Sequence, residues 1–322
     1  MSVPAASATF LLPARTRFGA QALPPMFAKA LGRADRTEDA SGERAQLLRH
    51  FDLLPRAWPV AAITRAFDAN DAPLSAWLRA DPAFVRPDIN GARLLACGDA
   101  LRLDQAEADA FVSVLRPLFG DSGMPIDAPR PARWYLRLPR EAKLPSMASP
   151  EEALGADLFD HLPEGPEGRR WRALLSEAQV ALHQHPLNAE RAAAGKPPVN
   201  SLWFWGGGVL PDHVTTSHAS VRSNEITLRA LAKTANADGG DLPPTGFKGA
   251  EPPSTPGSHL FDLRSLRDLR ALDADWMQPA LDAVKAGTLS SLVLDCEDGA
   301  RFTFLRSQRW RFWRKPLKAF DA

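Results

Sequence analysis

The chain has 322 residues, 45% of them apolar and 24% charged, with a formal net charge of +1. That length buries a sizeable core in one large domain or two modest ones, and the composition excludes wholesale disorder. The charge excludes a globally basic nucleic-acid binder, and no apolar run approaches the ~20 residues of a membrane-spanning helix.

The N-terminal stretch MSVPAASATFLLPA carries two prolines and no charged opening, a poor leader, so a cytoplasmic location is expected. Residues 8–12 form an apolar run stopped by Pro13 and predict a buried strand. Helices are expected around 25–31, 43–54 and 59–67, the second because Leu47, Leu48, Phe51 and Leu54 recur at helical spacing. The charged stretch 32–42 reads as a loop. Strand segments are expected at 84–85 and 92–97. Residues 104–118 predict an amphipathic helix: Asp104 is a good N-cap, Glu107 completes a capping box, and Phe111, Val114, Leu115 and Leu118 make the stripe. The run RWYLRL at 133–138 reads as a returning strand.

A second strong helix is expected over 168–185, with Trp171, Leu174, Leu175, Ala178 and Leu182 on one face and Pro186 at its end. Asn188 is placed to cap a short helix that Gly195 closes. The run VNSLWFW at 199–205 predicts a buried strand with Trp203 and Trp205 facing the same side. Gly206-Gly207-Gly208 then reads as a tight turn. Residues 236–258 hold five prolines and five glycines and read as a loop. Strands at 289–295 and 301–305, joined by Asp298-Gly299, predict a hairpin.

Standard chemistry-bearing signatures are absent. There is no phosphate-cradling Gly-x4-Gly-Lys-Ser/Thr, no His-Glu-x-x-His and no Gly-x-Ser-x-Gly. Cys97 and Cys296 give no disulfide framework and no zinc pattern. His183 and His185, two apart on a helix, do not share a face. Asp212, His213 and His218 form a polar loop cluster open to either a solvated or a catalytic reading. The most unusual segment is the end of the chain. Residues 301–322 hold seven basic residues and one acidic one. There Arg306, Arg309, Arg311, Arg314, Lys315 and Lys318 alternate with Trp310, Phe312 and Trp313. Such a patch suits nucleic acid or another anion, or a place at a membrane surface. Against that stands a tail whose aromatics dock on the core while its arginines pair with acids, and this bland reading is the favoured one.

The segment 185–211 (HPLNAERAAAGKPPVNSLWFWGGGVLP) resembles the HPVN-x-x-R…G-x-x-P-x-N-x-x-W-x-WG-x-G-x-x-P run of cofactor-independent, archaeal-type phosphoglycerate mutases. The resemblance extends upstream through RLDQAEADAFVSVLRPLFG and RWYLRL. LLPARTRFGAQALP, GRRWRALLSEAQ and RWRFWRK are similar to the RpfE-type regulatory proteins within the broader group. It implies an α/β fold with a reduced alkaline-phosphatase-like core and an inserted α+β region. The expected layout is a core over 1–235 with its insert at about 73–140, a loop at 236–258, and strands plus the tail over 259–322. In the mutases two metal ions serve phosphoryl transfer, but the ligand motifs do not match here: Pro13-Ala14-Arg15 follows the first strand where that family has an aspartate. The resemblance therefore implies no catalytic residues, no metal and no cofactor. Arg102, Asn188, Arg191, Asn200, Gly206 and Gly208 fall on the family's substrate-holding positions. They imply a small anionic ligand or a protein partner, with nucleic acid a disfavoured alternative. A metal-dependent phosphotransferase or phosphatase with a site rebuilt around Asp212, His213 and His218 is the competing enzyme reading.

Overall fold

The computed structural model describes residues 6–88, 91–248 and 256–321. The chain divides into two compact units: Met1–Arg56 with Asp212–Ala322, and Ala57–Pro211. The second unit thus reaches beyond both ends of the stretch 73–140 that the sequence suggests as an insert.

The first unit opens with β1 (Ala6–Leu12), α1 (Pro25–Arg33), β2 (Asp35–Glu38), α2 (Glu43–Leu48) and β3 (Asp52–Leu54). The second contains α3 (Val60–Asp68), β4 (Ala76–Asp88), β5 (Gly91–Cys97), α4 (Gln105–Asp121), β6 (Ile126–Arg130) and β7 (Arg133–Leu138). It continues through α5 (Pro150–Ala153), α6 (Gly165–His183), α7 (Leu187–Ala193) and β8 (Ser201–Val209). The first unit then resumes with β9 (His213–Thr215), β10 (His218–Arg222), α8 (Ile226–Thr234), β11 (Asp238–Gly240) and β12 (Ser258–Asp262). It closes with α9 (Leu269–Ala271), α10 (Gln278–Ala286), β13 (Leu289–Cys296) and β14 (Ala300–Leu305).

In the first unit a seven-stranded sheet has the order β11-β10-β12-β1-β13-β14-β2. The pairs from β11 to β13 are parallel, and β14 and β2 add an antiparallel flank. Side chains alternate along a strand, so each strand serves two faces. Ala8, Phe10 and Leu12 of β1 enter one core with Phe27 and Leu31 of α1 and Ala280 and Val284 of α10. Phe10 meets Phe247, Phe261 and Trp276 edge-on at 5.6–5.7 Å. The opposite face is polar where Ser258 is in register with Ser7, and Asp262 and Asp295 with Leu11. The Asp298-Gly299 hairpin joins β13 to β14 as expected, with Gly299 at φ 93°.

In the second unit the 13-residue β4 is the spine of an antiparallel sheet. It pairs with β8 along Ala76–Ala83, with β7 at Ala76–Arg79 and with β5 at Ala83–Asp88. One face packs on Phe111, Leu115 and Phe119 of α4 and on Trp171, Leu174, Ala178 and Leu182 of α6. The capping box of Asp104 and Glu107 forms at the start of α4.

Four local expectations are corrected. Residues 43–54 are not one helix: α2 ends at Leu48, and Asp52–Leu54 pairs with β9 instead. The charged loop at 32–42 contains β2, an exposed edge strand on β14. Residues 236–258 contain β11, while 249–255 lie outside the described residues. The glycine triplet is no turn but lies inside β8. A Cβ on Gly206 would stand 3.0 Å from Val60 Cβ, and one on Gly208 2.8 Å from Pro59 Cβ. The glycines let β8 lie directly against the start of α3.

Candidate functional site

The polar face of the parallel sheet carries a hydrogen-bonded chain of four side chains. Asp295, at the carboxyl end of β13, is buried and receives His50 Nε2 on Oδ2 at 2.9 Å. His50 Nδ1 stands 3.0 Å from His218 Nε2, and His218 Nδ1 stands 2.8 Å from Ser258 Oγ. Arg49 adds a bidentate grip on Asp295, Nε to Oδ2 at 3.0 Å and Nη2 to Oδ1 at 2.5 Å. Burial alone would raise the Asp295 carboxyl, but hydrogen bonds from His50 and Arg49 outweigh it and hold the group below its ordinary range. Burial, with the nearby His50 and His259, pushes His218 down to about 3, so it is neutral at pH 7. With Asp295 as terminal acceptor, the donors order themselves from Ser258 Oγ–H through His218 Nε2–H and His50 Nε2–H to the carboxylate.

Asp262, at the carboxyl end of β12, is held in the same manner. Arg264 donates Nε to its Oδ1 at 2.7 Å and Nη2 to its Oδ2 at 3.0 Å, and Ser223 Oγ donates at 2.7 Å. Burial again opposes and Arg264 wins, so this carboxyl too lies below its usual range. After β1, Arg15 bonds Asp298 through its backbone N–H and its Nε at 3.1 and 2.9 Å. A two-metal phosphoryl-transfer centre needs several carboxylates and imidazoles free to face the cations. Among the described residues no group of three or more His, Cys, Asp or Glu is so gathered. Both strand-end aspartates are instead bound by guanidinium forks, so these residues do not fit a pair of divalent cations.

The second unit has its own buried polar cluster. Arg79 and Asp81, alternate residues of β4, share a face and meet fork to fork at 2.8 and 2.8 Å. Trp205 Nε1 donates to Asp81 at 2.7 Å, and the Arg79 guanidinium lies 5.2 Å from the Trp205 ring and 5.3 Å from that of Tyr135. Tyr135 Oη donates to Asp68, which Arg133 grips bidentately at 2.7 and 2.7 Å. Burial pushes the Asp81 carboxyl up, opposed by Arg79, and pushes the Tyr135 phenol above its ordinary value. Every charged member has a partner, which is the arrangement of a specificity-giving buried network.

Asn188 does not cap α7, whose N-cap is Pro186; its Nδ2 donates to Leu182 and Val199 carbonyls and its Oδ1 accepts from Val199 N–H. Arg191 is almost wholly buried and donates to Pro197 and Leu101 carbonyls and to Glu107. Asn200 exchanges two bonds with the Val85 backbone, and Gly206 and Gly208 face α3. Arg102 is exposed, with a left-handed backbone at φ 52°. Asp212 and His213 are exposed on or beside β9, whereas His218 is buried, and the three are not brought together. His50, Ser258 and Asp295 escape a reading of the sequence because 168 and 245 positions separate His50 from its partners, and no local spacing encodes that. At the tail, Trp310, Phe312 and Trp313 do not dock on the core but are 63–76% exposed. Among the tail cations, Arg311 pairs with Asp35, while Arg306, Arg309, Arg314 and Lys315 are exposed.

No protein-family model matches the chain. A 77-residue stretch is 35% identical to the 2,3-bisphosphoglycerate-independent phosphoglycerate mutase of Methanosarcina acetivorans, covering 24% of this chain and 19% of that protein. A 66-residue stretch is 35% identical to the probable enzyme of that name from Geobacter sulfurreducens, covering 20% of this chain and 16% of that protein. The matched stretch thus spans less than a fifth of these relatives' length. Among solved structures, the cofactor-independent phosphoglycerate mutase of Thermoplasma acidophilum aligns with TM-score 0.45 and 15% identity, covering 93% of this chain and 89% of that one. A protein of Pyrococcus horikoshii aligns with TM-score 0.47 and 13% identity, covering 94% and 88%. No helix among the described residues is long and apolar enough to cross a membrane. Over part of its length, the chain is distantly homologous to the cofactor-independent phosphoglycerate mutases.

Proposed function

We propose that this protein is a non-catalytic regulatory protein of the RpfE type, a phosphoglycerate-mutase-like scaffold that works in the cytoplasm by binding rather than by phosphoryl transfer. One observation carries the reading. Asp262 and Asp295, the carboxylates at the ends of two parallel strands, are each bound bidentately by an arginine, Arg264 and Arg49. A carboxylate whose two oxygens already accept from a guanidinium offers a cation only its remaining lone pairs, beside a fixed positive charge that repels the cation. A protein partner is favoured over a small anion at 185–211, because Asn188, Arg191 and Asn200 are engaged with the chain itself.

The test combines metal content, turnover and thermal unfolding of the purified full chain. The expected outcome is no stoichiometric manganese or zinc, no interconversion of 3- and 2-phosphoglycerate, and a midpoint unmoved by chelator. Stoichiometric metal with chelator-sensitive turnover would overturn the reading. A metal-independent rise of the midpoint with 3-phosphoglycerate would keep the binding role and move the partner to a small phosphorylated acid, since a ligand of the folded state stabilises it by mass action.

A further inference from the structure

The end of the chain presents three large aromatic side chains to solvent within four residues. Trp310 is 63% exposed, Phe312 76% and Trp313 66%. Aromatic side chains carry a large apolar area that folding normally buries, so a contiguous exposed set marks an interaction surface. Around them Arg306, Arg309, Arg314, Lys315 and Lys318 are exposed, and residues 306–320 contain no acid.

The exposure is not fraying, because the segment is pinned on both sides. Before the rings, Gln308 is buried and donates to Asp35 and to the Thr303 carbonyl, each at 3.0 Å. Arg311 pairs with Asp35 and donates to the Arg33 carbonyl at 3.1 Å. After them, Leu317 N–H donates to the Ala28 carbonyl at 2.9 Å, and Phe320 packs between Phe18 and Phe27 at 5.5 Å from each. Between these anchors the fold holds the rings outward.

We propose that this face docks on the surface of a bilayer rich in anionic phospholipid. The cations meet the lipid phosphates, and the indoles and the phenyl ring enter the headgroup layer, where amphipathic aromatics partition well. Bases of a single strand would be a poorer occupant. They stack on open ring faces, and here the edge-to-face contact of Phe312 and Trp313 at 5.5 Å and 81°, and Arg309 at 4.8 Å over Trp310, each already take up one such face. The association is peripheral, and it rests on the tail alone, independent of whether the scaffold is catalytic.

Flotation of the full chain with phosphatidylcholine vesicles, with and without phosphatidylglycerol, is the test. Binding is expected only with the anionic lipid, weakening as salt is raised. Brominated lipid chains should quench part of the tryptophan emission. Trp310→Ser, Phe312→Ser and Trp313→Ser together should lower partitioning at least about tenfold and remove that quenching. Their thermal midpoint should match the parent's, since the rings lie outside the core. The triple Arg309→Gln, Arg314→Gln, Lys315→Gln should lose most of the salt dependence. Binding that ignores lipid charge, or that survives the aromatic triple, overturns the proposal. So does tight capture of a single-stranded oligonucleotide without vesicle binding, or an aromatic triple that changes only the sedimentation coefficient.

Discussion

His218 is neutral in the folded protein and free to charge in the unfolded chain, and this difference sets a pH dependence. Its folded pKa is about 3, against an ordinary value near 6.5. Between those values the unfolded chain binds the extra proton, so stability is full above about pH 6.5 and falls as pH drops toward 3. The loss should reach a few kcal/mol, since each pH step of one between the two values is worth about 1.4 kcal/mol. Asp295, whose folded pKa is lowered, adds a loss of the same sign only at lower pH, as the carboxylate itself protonates. Urea titrations at pH 7.5 and 5 would show it, and His218→Gln should flatten the difference. An unchanged slope in that variant would place the sensitive group elsewhere. At this scale the sequence is least legible. A lone histidine near the end of a short helix gives no hint of an aspartate met across the sheet. Asn188 reads as a cap because its type and place suit one, yet its amide is taken by Leu182 and Val199.

Secondary elements are legible where their signals are local. The capping box of Asp104 and Glu107 needs only its own stretch of chain and forms, whereas the expected stripe holds only in part: Phe111 and Leu115 are buried, but Val114 is exposed and Val112 and Phe119 complete the buried face of α4. The failures share a cause, which is pairing with distant chain. Asp52–Leu54 extends because β9 lies beside it, and Asp35–Glu38 is a strand only by bonding to β14. The glycines of β8 look like a turn until α3 is set against them. That contact yields a contrast between two glycines. Gly208→Ala meets Pro59 at φ 148° and should cost about 2–3 kcal/mol. Gly120→Ala, inside α4 with nothing within 4 Å, should instead stabilise by about 0.5–1 kcal/mol. Thermal melts of the two variants decide; equal effects would mean that β8 yields without strain.

For the whole molecule, the mixed α/β class and the closing hairpin are readable, because apolar runs bounded by proline and Asp-Gly carry their own punctuation. The division of the chain is harder to read, since β4 and β8 meet only after more than a hundred intervening residues. Proline-rich stretches alone do not mark where one core ends and another begins. Charge is informative in sign and not in consequence. The basic tail stands out at once, but whether its rings face inward depends on Asp35 and Ala28, which come early in the chain.

The position of β1 has a consequence for synthesis. β1, made before the other described strands, is the middle one of its sheet, and both neighbours, β12 (Ser258–Asp262) and β13 (Leu289–Cys296), are made far later. While the ribosome works, Phe10, Leu11 and Leu12 have no neighbouring strand to pair with, whereas the elements of 57–211 are already complete and need no later residue for their own sheet. Such late, long-range pairing is slow and exposes sticky segments. Nascent chains stalled after residue 250 should therefore show the 57–211 unit resistant to protease and the opening strand cleavable or held by a chaperone. Release of the full chain should protect both.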